Sequence, residues 1–519
     1  MKRLVPVIVV LGCILFFYNL GSRDFWAPDE GDFAEIVKEL SYDLVVPHLN
    51  GESYAEKPPL FYYVCYGAQR LFPGLPDEVC LRLPSAFFAL LTLIAFGGTI
   101  RRFFGDDQAW TSTLILMTAP LYYWQARYLQ VDMLFAAFVA GSLLSFFWFS
   151  ATEKERYVYL FFLSLGLAFL TKGPLALVLT IPPAFVCLLL NKDLKLLKRK
   201  PLYLGALLFL AVILPWYLAV YAREGWSFLY ENIMRQNFLR FFDAWSHKRP
   251  FYYYFTTLPL DFFPWSLLLP MGIIVAFRTF RKDGRLRFFL IWFLWMFLFL
   301  SISSGKISKY MLPALPALSV LAAAGLASDS PRYNKTVFLI LAFLFFALGS
   351  LLIVFRTALY PEFYRLRLLQ GSLCVAFSMV LLYPAFKGRF NKAFFCVALL
   401  LITIYSVANG AVYAKWNAYK SPRPFSEKVK DLTKDGTPWV YYGSLRGVYV
   451  YYAGTYAISV DEHDAAGLKA VAAKVPDFYI VTRNRDMEEV RETLPGVETQ
   501  VTEKIGDTPM VIARFKRGT

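Results

Sequence analysis

Long apolar runs separated by short charged loops are the feature that most limits how this chain can fold. Of its 519 residues, 57% are hydrophobic and 18% are charged, whereas soluble domains carry about 25% charge. A bilayer core takes about 20 apolar residues per helix, and about thirteen such runs can be marked. The sequence therefore predicts a polytopic α-helical membrane protein. The runs lie near 4–20, 82–100, 109–126, 133–150, 157–172, 174–190, 202–221, 264–279, 288–304, 311–327, 337–355, 369–386 and 393–413.

The net charge of +16 is spread over the loops between these runs. Cytoplasmic loops of membrane proteins carry an excess of Lys and Arg. With the N-terminus in the cytoplasm, alternating spans put every basic cluster on that side. Because no single face collects these charges, nucleic acid is excluded as a partner. The clusters are residues 2–3, 101–102, 192–200, 278–287, 332–335 and 387–392.

The predicted organisation is a transmembrane domain over 1–413 and a soluble domain over 414–519, outside the membrane. The long outer loops are 21–81 and 222–263, and juxtamembrane helices are expected there. Residues 171–174 form either a tight outer turn or a break within one hairpin. In the tail, short strands alternate with helices, which predicts a small α/β domain. The predicted strands are 439–442, 456–460 and 478–482, and the predicted helices are 465–473 and 486–493.

The first outer loop contains an acidic pair, Asp29 and Glu30, directly after Pro28. Acidic residues favour a helix start, so the pair is typical of a solvated N-terminal turn. A carboxylate near the bilayer surface can also serve as a general base or a metal ligand. Both interpretations can hold at once.

Further along this loop, Lys57 follows Glu56 and precedes two prolines. Proline restricts the backbone, so Lys57 is directed at a fixed place near the interface. A lysine there can bind a phosphate, or it can extend to lipid headgroups. Cys65 and Cys80 in the same loop could pair in an oxidising compartment.

Other outer loops add charged and aromatic residues to this face. Lysines on the outer side run against the positive-inside tendency, and they call for an anionic partner. An amphipathic interfacial segment explains much of the second long loop, and a span-end acid can be a helix cap. Cations from several loops together suit a lipid phosphate. The candidate functional residues of these outer loops, cationic and otherwise, are Arg127, Asp132, His247, Arg249, Lys306, Lys309 and Tyr310.

Several motifs occur together in a fixed order over about residues 24–320. They are PDEGDFAEI, DLVVPHLNGESYAEKPPL, LTKGP, HKRPFYYY, PW and SSGKISKYMLPALPAL. With these motifs in this order, the chain resembles the bacterial 4-amino-4-deoxy-L-arabinose lipid A transferases, which belong to the protein-mannosyltransferase-like, GT-C integral membrane glycosyltransferases. The C-terminal tail is compatible with the family's periplasmic domain.

The resemblance implies an inverting transfer of a sugar from undecaprenyl phosphate to lipid A or another envelope glycolipid. The active site would face the periplasm from the bacterial inner membrane, in a protein expected to be a monomer. By position, the resemblance implies that Asp29 is the catalytic acid, with Glu30 beside it, and that Lys57 and Tyr310 lie near the donor phosphate, where the loop cations Lys306 and Arg249 are expected to assist. Asp132, with Arg127 and Tyr54, is expected to bind the acceptor or sugar, and Glu56 and His247 are expected to hold a divalent metal ion, zinc or magnesium.

One position departs from the family pattern. The lipid A transferases usually carry a basic residue three positions after the acidic one, where this chain has Asp32. A different sugar or acceptor is therefore an open alternative, including protein O-glycosylation. A transporter or flippase for lipid-linked anions would instead need charges within the spans. A structural or assembly protein whose tail binds a partner is the third class.

Overall fold

The structure, a computed structural model, describes residues 4–355 and 360–517. The predicted basic cluster at residues 2–3 lies outside this range. The chain divides into two compact units. Unit 1 contains Met1–Leu20, Ala55–Phe61 and Arg82–Val412, and unit 2 contains Gly21–Tyr54, Tyr62–Leu81 and Tyr413–Thr519.

Helices make up most of the described chain. In chain order they are α1 (Leu4–Gly12), α2 (Asp29–Glu39), α3 (Leu60–Leu71), α4 (Asp77–Cys80), α5 (Leu83–Phe104), α6 (Asp106–Thr118), α7 (Pro120–Gln125), α8 (Val131–Thr152), α9 (Arg156–Lys172), α10 (Leu175–Asn191), α11 (Lys200–Leu229), α12 (Arg240–Phe242), α13 (Tyr253–Asp261), α14 (Leu269–Arg278), α15 (Gly284–Ile302), α16 (Leu315–Leu326), α17 (Pro331–Val354), α18 (Tyr364–Phe386), α19 (Phe390–Val407), α20 (Tyr413–Lys420), α21 (Arg423–Leu432), α22 (Gly447–Ala453), α23 (Ala465–Lys474) and α24 (Met487–Thr493). Tighter 3₁₀ turns occupy Leu194–Lys198, Trp265–Leu268, Ser308–Ala314, Pro361–Phe363 and Asn484–Asp486, and wider π turns occupy Cys13–Phe17, Tyr230–Leu239 and Ala408–Val412.

The apolar helices of unit 1 account for the membrane class. Among the described residues, eight helices are long and apolar enough to cross a membrane, or nine if the bent pair Tyr253–Asp261 and Trp265–Arg278 is one span. The apolar helices Leu4–Phe17 and Leu175–Asn191 are shorter. The predicted apolar runs lie on one helix or on consecutive helical segments, such as α6 and α7 for the run 109–126. The prediction of a polytopic α-helical membrane protein is confirmed.

Local backbone features set several helix ends near the outer loops. α9 ends at Gly173, whose φ of 76° is left-handed and is easily adopted by glycine. Residues 157–172 and 174–190 are therefore two helices separated by a short turn. α11 is broken at Gly225, which has a φ of 71°, and its last residues continue into the π turn Tyr230–Leu239. Much of the predicted loop 222–263 is thus helical.

The C-terminal part of unit 2 is built on a five-stranded sheet. Its strands are β3 (Trp439–Tyr442), β4 (Ile458–Val460), β5 (Asp477–Arg483), β6 (Glu498–Ile505) and β7 (Thr508–Lys516), after a short hairpin of β1 (His48–Leu49) and β2 (Glu52–Ser53). The order is β4-β3-β5-β7-β6. Strands β4, β3 and β5 are parallel, and β7 and β6 extend the sheet in antiparallel fashion.

The predicted α/β character of the tail is confirmed. The predicted strands overlap β3, β4 and β5, and the predicted helices overlap α23 and α24. The hairpin of β6 and β7 was absent from the prediction. Its strand β6 alternates exposed and half-buried residues, and its many polar residues obscure the strand signal in the sequence.

In unit 2, α2 packs closely on α22. A Cβ at Gly31 would lie 2.1 Å from Val448 Cβ, so only glycine fits there. Beside this contact, Asp32 Oδ1 accepts a hydrogen bond of 2.6 Å from Gly447 N. Asn50 exchanges two 2.8 Å hydrogen bonds with the backbone of Ala457. The part of the first outer loop that carries α2 is therefore bound into the same unit as the tail, whereas Ala55–Phe61 belong to unit 1.

The two cysteines of the first outer loop are both free and buried. The Cys65 thiol lies 3.5 Å from Leu81 O, and the Cys80 thiol lies 3.3 Å from Phe72 O. Each thiol thus contacts a backbone carbonyl in this structure.

We expect Gly31→Ala to lower stability, because the added methyl would overlap the Cα and Cβ atoms of Val448. Overpacking of this kind costs about 1–3 kcal/mol. The temperature at which the detergent-solubilised protein loses its monodisperse elution peak should fall. Gly67→Ala is the matched control, since a Cβ at Gly67 meets no atom within 4 Å. Equal midpoints for the two variants would contradict the close packing of α2 on α22.

Candidate active site

A cavity of about 270 Å³ lies in unit 1, where α9, α10 and the π turn Tyr230–Leu239 meet the segment around Lys57. One part of its lining is polar and charged, and the other part is apolar. The polar lining consists of Glu56, Lys57, Lys172, Gln236, Asn237, Arg240, Ser303, Gly305 and Tyr310. The apolar lining consists of Pro174, Leu175, Val178, Phe238, Phe241, Phe242, Phe299 and Leu300.

Lys57 enters the cavity from the segment that precedes α3. Pro58 and Pro59 follow it and are buried, so the backbone at this point is fixed. Its ammonium group donates a 3.1 Å hydrogen bond to the carbonyl of Glu56. Burial of the ammonium lowers the pKa of Lys57 to about 8, against an opposing effect of the Glu56 carboxylate. Less free energy is therefore needed to remove its charge than for an exposed lysine.

Asp132 lies at the centre of a network of buried charged residues beside the cavity. It lies in the first turn of α8 and is 3% exposed. Its carboxylate accepts a hydrogen bond from Lys172 and lies 3.8 Å from Lys309 Nζ. Lys172 Nζ also lies 4.5 Å from the centre of the Tyr310 ring, a cation–π contact. The network fixes Lys172 and Tyr310 at the polar end of the cavity.

Arg240 is a third cation on the lining. Its guanidinium donates to Gln236 Oε1 at 3.1 Å and to Ser246 Oγ at 3.3 Å, and both acceptors are neutral. Within the described lining, Lys57, Lys172 and Arg240 stand against one carboxylate, that of Glu56. The polar end of the cavity therefore carries excess positive charge.

Buried asparagines join the segments that form the cavity. Asn232 is 1% exposed and donates a 2.8 Å hydrogen bond to the carbonyl of Ala55. Its side-chain oxygen accepts from Tyr217, and its backbone oxygen accepts a 2.8 Å bond from Asn237. The π turn Tyr230–Leu239 is thereby tied to the segment that carries Lys57.

Lys306 and Arg249 lie together in unit 1, with a different geometry from Lys57. Lys306 is 3% exposed, and its ammonium donates to the carbonyls of Ser303 and, at 3.0 Å, of Arg249. Burial lowers the pKa of Lys306. The Arg249 side chain is exposed. Neither side chain belongs to the described lining of the cavity.

Glu56 and His247 are both exposed residues of unit 1. His247 has a left-handed backbone, φ 59°, and its carbonyl accepts a 3.0 Å hydrogen bond from Lys306 N. Zinc sites in proteins use three or four protein ligands. Within residues 4–355 and 360–517, no group of three or more His, Cys, Asp or Glu side chains could hold a metal ion. The two residues alone do not form such a ligand set.

Arg127 is buried in unit 1. Its guanidinium donates to four carbonyls, those of Leu15, Phe16, Tyr18 and Asn19, at 3.0–3.2 Å. These carbonyls belong to the end of the first apolar helix, which a cation stabilises. Arg127 therefore connects the end of that helix to the segment between α7 and α8.

The acidic pair of the first loop, Asp29 and Glu30, lies in unit 2, at the start of α2. Glu30 is fully buried, with its carboxylate 3.0 Å from Arg23 and 3.3 Å from Trp26 N. Asp29 is half-buried at the first position of the helix. Tyr54 also belongs to unit 2, where its ring packs edge-on against Tyr62 at 6.4 Å.

Two cavity residues, Lys172 and Arg240, were not selected as site residues in the sequence analysis. Lys172 lies in the LTKGP motif, between two apolar runs on the predicted outer side. A lysine there runs against the positive-inside tendency, and this signal could have identified it. Arg240 lies in a segment with several other basic residues, and no sequence pattern distinguishes it from Arg235 or Arg249.

Comparisons with known proteins agree with this architecture. The model of the dolichyl-phosphate-mannose-protein mannosyltransferase family matches residues 56–218. An uncharacterized protein of Aquifex aeolicus (strain VF5) is 32% identical over 362 residues, which cover 68% of this chain and 69% of that protein. The undecaprenyl phosphate-alpha-4-amino-4-deoxy-L-arabinose arabinosyl transferase of Pectobacterium atrosepticum is 33% identical over 357 residues, 67% of this chain. The match spans 63% of the length of that transferase.

Solved structures share the fold at low sequence identity. The crystal structure of ArnT from Cupriavidus metallidurans bound to undecaprenyl phosphate aligns with a TM-score of 0.79 at 23% identity, covering 98% of this chain and 97% of ArnT. The oligosaccharyltransferase of Archaeoglobus fulgidus, solved with Zn and sulfate, aligns at 0.56 and 14% identity, over 92% of this chain and 67% of that one. The chain is thus similar over two thirds of its length to the undecaprenyl phosphate aminoarabinose transferases, matches the protein-mannosyltransferase family model over residues 56–218, and shares the fold of ArnT.

Proposed function

We propose that this protein transfers a sugar from a polyprenyl phosphate carrier to an envelope acceptor, with 4-amino-4-deoxy-L-arabinose, undecaprenyl phosphate and lipid A as the first substrates to test. The similar transferase of Pectobacterium atrosepticum is named for that carrier and that sugar. The further parts of the proposal are a bacterial inner-membrane location, a periplasmic site and a monomeric enzyme whose catalytic domain spans 1–413.

The observation that carries the proposal is the division of the unit 1 cavity into a cationic end and an apolar end. A polyprenyl phosphate has the same division, with an anionic head on a hydrocarbon tail. Lys57, Lys172 and Arg240 suit the phosphate, because charge-assisted hydrogen bonds to phosphate are among the strongest in proteins. The aromatic and aliphatic lining suits the first isoprene units.

The proposed reaction is a single displacement at the anomeric carbon. An acceptor oxygen forms a bond to that carbon, and the bond from the carbon to the carrier phosphate oxygen breaks. The electron pair leaves with the polyprenyl phosphate, and any acceptor proton is released. Lys57, Lys172 and Arg240 stabilise the charge that develops on the leaving phosphate, which is the largest contribution in many such sites.

Asp29 is the proposed catalytic carboxylate, a role implied by the family motif. If the acceptor is a lipid A phosphate, it is already anionic near neutral pH, and Asp29 orients it. If the acceptor is a hydroxyl, Asp29 acts as general base, which contributes about 10²–10⁴-fold in rate. The ion pair of Glu30 with Arg23 supports a positioning role for Glu30 instead.

A protein hydroxyl is the second candidate acceptor. The family model that matches residues 56–218 describes dolichyl-phosphate-mannose-protein mannosyltransferases, and the donor chemistry is the same. A flippase is less compatible with the positions of the charges, because it would need charged residues within the membrane spans. Lys57 lies outside the helices that could span a membrane, and Arg240 and Lys309 lie at the ends of such helices. A zinc or magnesium ion at Glu56 and His247 stays a prediction, and no step is assigned to it.

Mass spectrometry of reconstituted reactions distinguishes these acceptors. Purified protein in liposomes would receive undecaprenyl-phosphate aminoarabinose and either lipid A or a Ser/Thr-containing peptide. A mass increase on lipid A alone supports the lead proposal, and an increase on the peptide supports the alternative. Envelope glycans from cells with and without the protein would then identify any other sugar. Absence of transfer with every donor would refute the enzyme proposal.

Lys57→Gln should weaken carrier binding by about tenfold to a hundredfold, because a hydrogen bond to a charged group contributes about 1.5–3 kcal/mol. The measurement is the dissociation constant of undecaprenyl phosphate, with the transfer rate alongside. Lys248→Gln is the matched control, since Lys248 is an exposed lysine of an outer loop whose side chain pairs with Asp243. Equal affinities for the two variants would remove Lys57 from the phosphate site.

Carrier binding should also weaken as pH rises through about 8. The pKa of Lys57 is lowered to about 8, so above this pH the free enzyme loses the ammonium charge that binds phosphate. The phosphate monoester of the carrier has its second pKa near ~6 and therefore stays dianionic over this range. Affinity should fall by up to about tenfold per pH unit. In Lys57→Arg the guanidinium stays charged, so whatever binding this variant retains should lack that decline. If affinity in Lys57→Arg declined with pH as it does in the unmodified protein, the decline would come from the titration of another group.

Asp29→Asn should reduce transfer by about 10²-fold or more while the protein keeps its elution profile in detergent and its affinity for undecaprenyl phosphate. The substitution removes the charge and preserves the size of the side chain. Glu52→Gln, at an exposed carboxylate of the same loop, is the matched control. Full transfer activity in Asp29→Asn would exclude Asp29 from the mechanism.

A further inference from the structure

Two neighbouring cavities lie in unit 1 at the opposite end of α8 from Asp132. This helix has 22 residues and therefore spans about 33 Å. Asp132 occupies its first turn, whereas Ser150 and Ala151, near its last turn, line the second of these cavities. Ser150, and with it the basic part of this region, lies about 27 Å along α8 from Asp132. The other cavity extends further toward the candidate active site, because Ile181 in its lining lies three residues along α10 from Val178. The two cavities share Phe146 as a lining residue.

The first of the two, the apolar cavity, has a volume of about 210 Å³, and its described lining is entirely hydrophobic. Ile181 and Phe185 line it and are also 43% and 46% exposed, so the cavity borders the outer surface of the helices. In a membrane, that surface faces hydrocarbon. The lining consists of Phe146, Phe149, Val158, Phe161, Phe162, Ile181, Ala184, Phe185, Leu188, Leu196, Leu197 and Leu202.

The second, the basic cavity, has a volume of about 260 Å³ and contains Lys282, Arg285 and Arg287. Asp283 is the carboxylate of its described lining. That carboxylate caps α15 by accepting from the backbone of Arg285 and Leu286, and it also pairs with the Arg285 side chain at 3.2 Å. Arg287 donates instead to the neutral Asn191 side chain and, at 2.9 Å, to the Phe280 carbonyl. Lys282 and Arg287 therefore give this cavity excess positive charge.

We propose that these two cavities together bind an anionic phospholipid of the membrane. Its phosphate lies among Lys282, Arg285 and Arg287, and one acyl chain passes Phe146 into the apolar cavity. The inference is independent of the proposed function, because the three basic residues lie with Ser150 and Ala151 at the opposite end of α8 from Asp132 and outside the lining of the candidate active site. It rests on a match of chemistry. The basic cavity and the apolar cavity share Phe146 as a lining residue, just as the anionic headgroup and the acyl chain of a phospholipid belong to one molecule.

The surroundings favour a lipid over a soluble anion. Leu196 and Leu197, which line the apolar cavity, lie in a turn that also carries Lys195 and Lys198. This basic turn would attract the headgroups of an anionic leaflet, an effect that basic residues near a membrane surface commonly have. A free phosphate would use the basic cavity alone and would gain nothing from the apolar cavity, whereas an acyl chain would also bury that hydrophobic lining.

The test is binding of phosphatidylglycerol and phosphatidylcholine to the delipidated full-length protein, measured by native mass spectrometry and by thermal unfolding in a neutral detergent. Phosphatidylglycerol should bind more tightly and raise the unfolding temperature further. In Lys282→Ala and Arg287→Gln, this preference should fall by about fivefold for each charge removed. Lys387→Ala, at an exposed lysine outside both cavities, is the matched control and should leave the preference intact.

Ala184→Phe tests the acyl-chain part separately. The added ring should fill the apolar cavity, so binding of both lipids should fall while the protein stays folded. Equal binding of the two lipids to the unmodified protein would overturn the proposal. The proposal would also be overturned if Lys282→Ala, Arg287→Gln and Ala184→Phe all bound phosphatidylglycerol as tightly as the unmodified protein does. Inorganic phosphate giving the same thermal shift as phosphatidylglycerol would show a soluble-anion site instead.

Discussion

The buried carboxylate of Asp132 is the interaction on which the polar end of the unit 1 cavity depends. It pairs with Lys172 and Lys309, and it brings together α8, the end of α9 and the turn before α16. Removing one partner of a buried ion pair typically costs about 3–5 kcal/mol, since the other charge is left uncompensated. Asp132 is therefore central to the placement of Lys172 and Tyr310, even if it never contacts substrate.

One carboxylate cannot neutralise all the cations near it. Lys57 and Arg240 add positive charge to the same lining, and burial already lowers the pKa of Lys57 to about 8. A charge in this environment is stabilised by an anion more than an exposed charge is, because solvent screens it less. A bound anionic ligand would thus raise the pKa of Lys57 back toward its ordinary value.

The sequence predicted the parts of this arrangement that depend on local pattern. The apolar runs located the helices, and the prolines after Lys57 indicated a fixed backbone. The pattern could not show which cations face one cavity, since that depends on packing among distant helices. Lys306 illustrates the difference, because its ammonium binds the carbonyls of Ser303 and Arg249. The four carbonyl partners of Arg127 are equally invisible in a sequence.

Asp32 shows how a departure from a family pattern can have a local cause. In the sequence it stands as an anion where the lipid A transferases usually carry a cation, which points to a changed substrate. In unit 2, its carboxylate accepts from Gly447 N at 2.6 Å, directly beside the close contact of Gly31 with Val448. An acceptor is needed there, because α22 begins at Gly447 and its first backbone donors lack helical partners. The substitution is therefore accounted for by helix capping, and by itself it no longer argues for a different sugar.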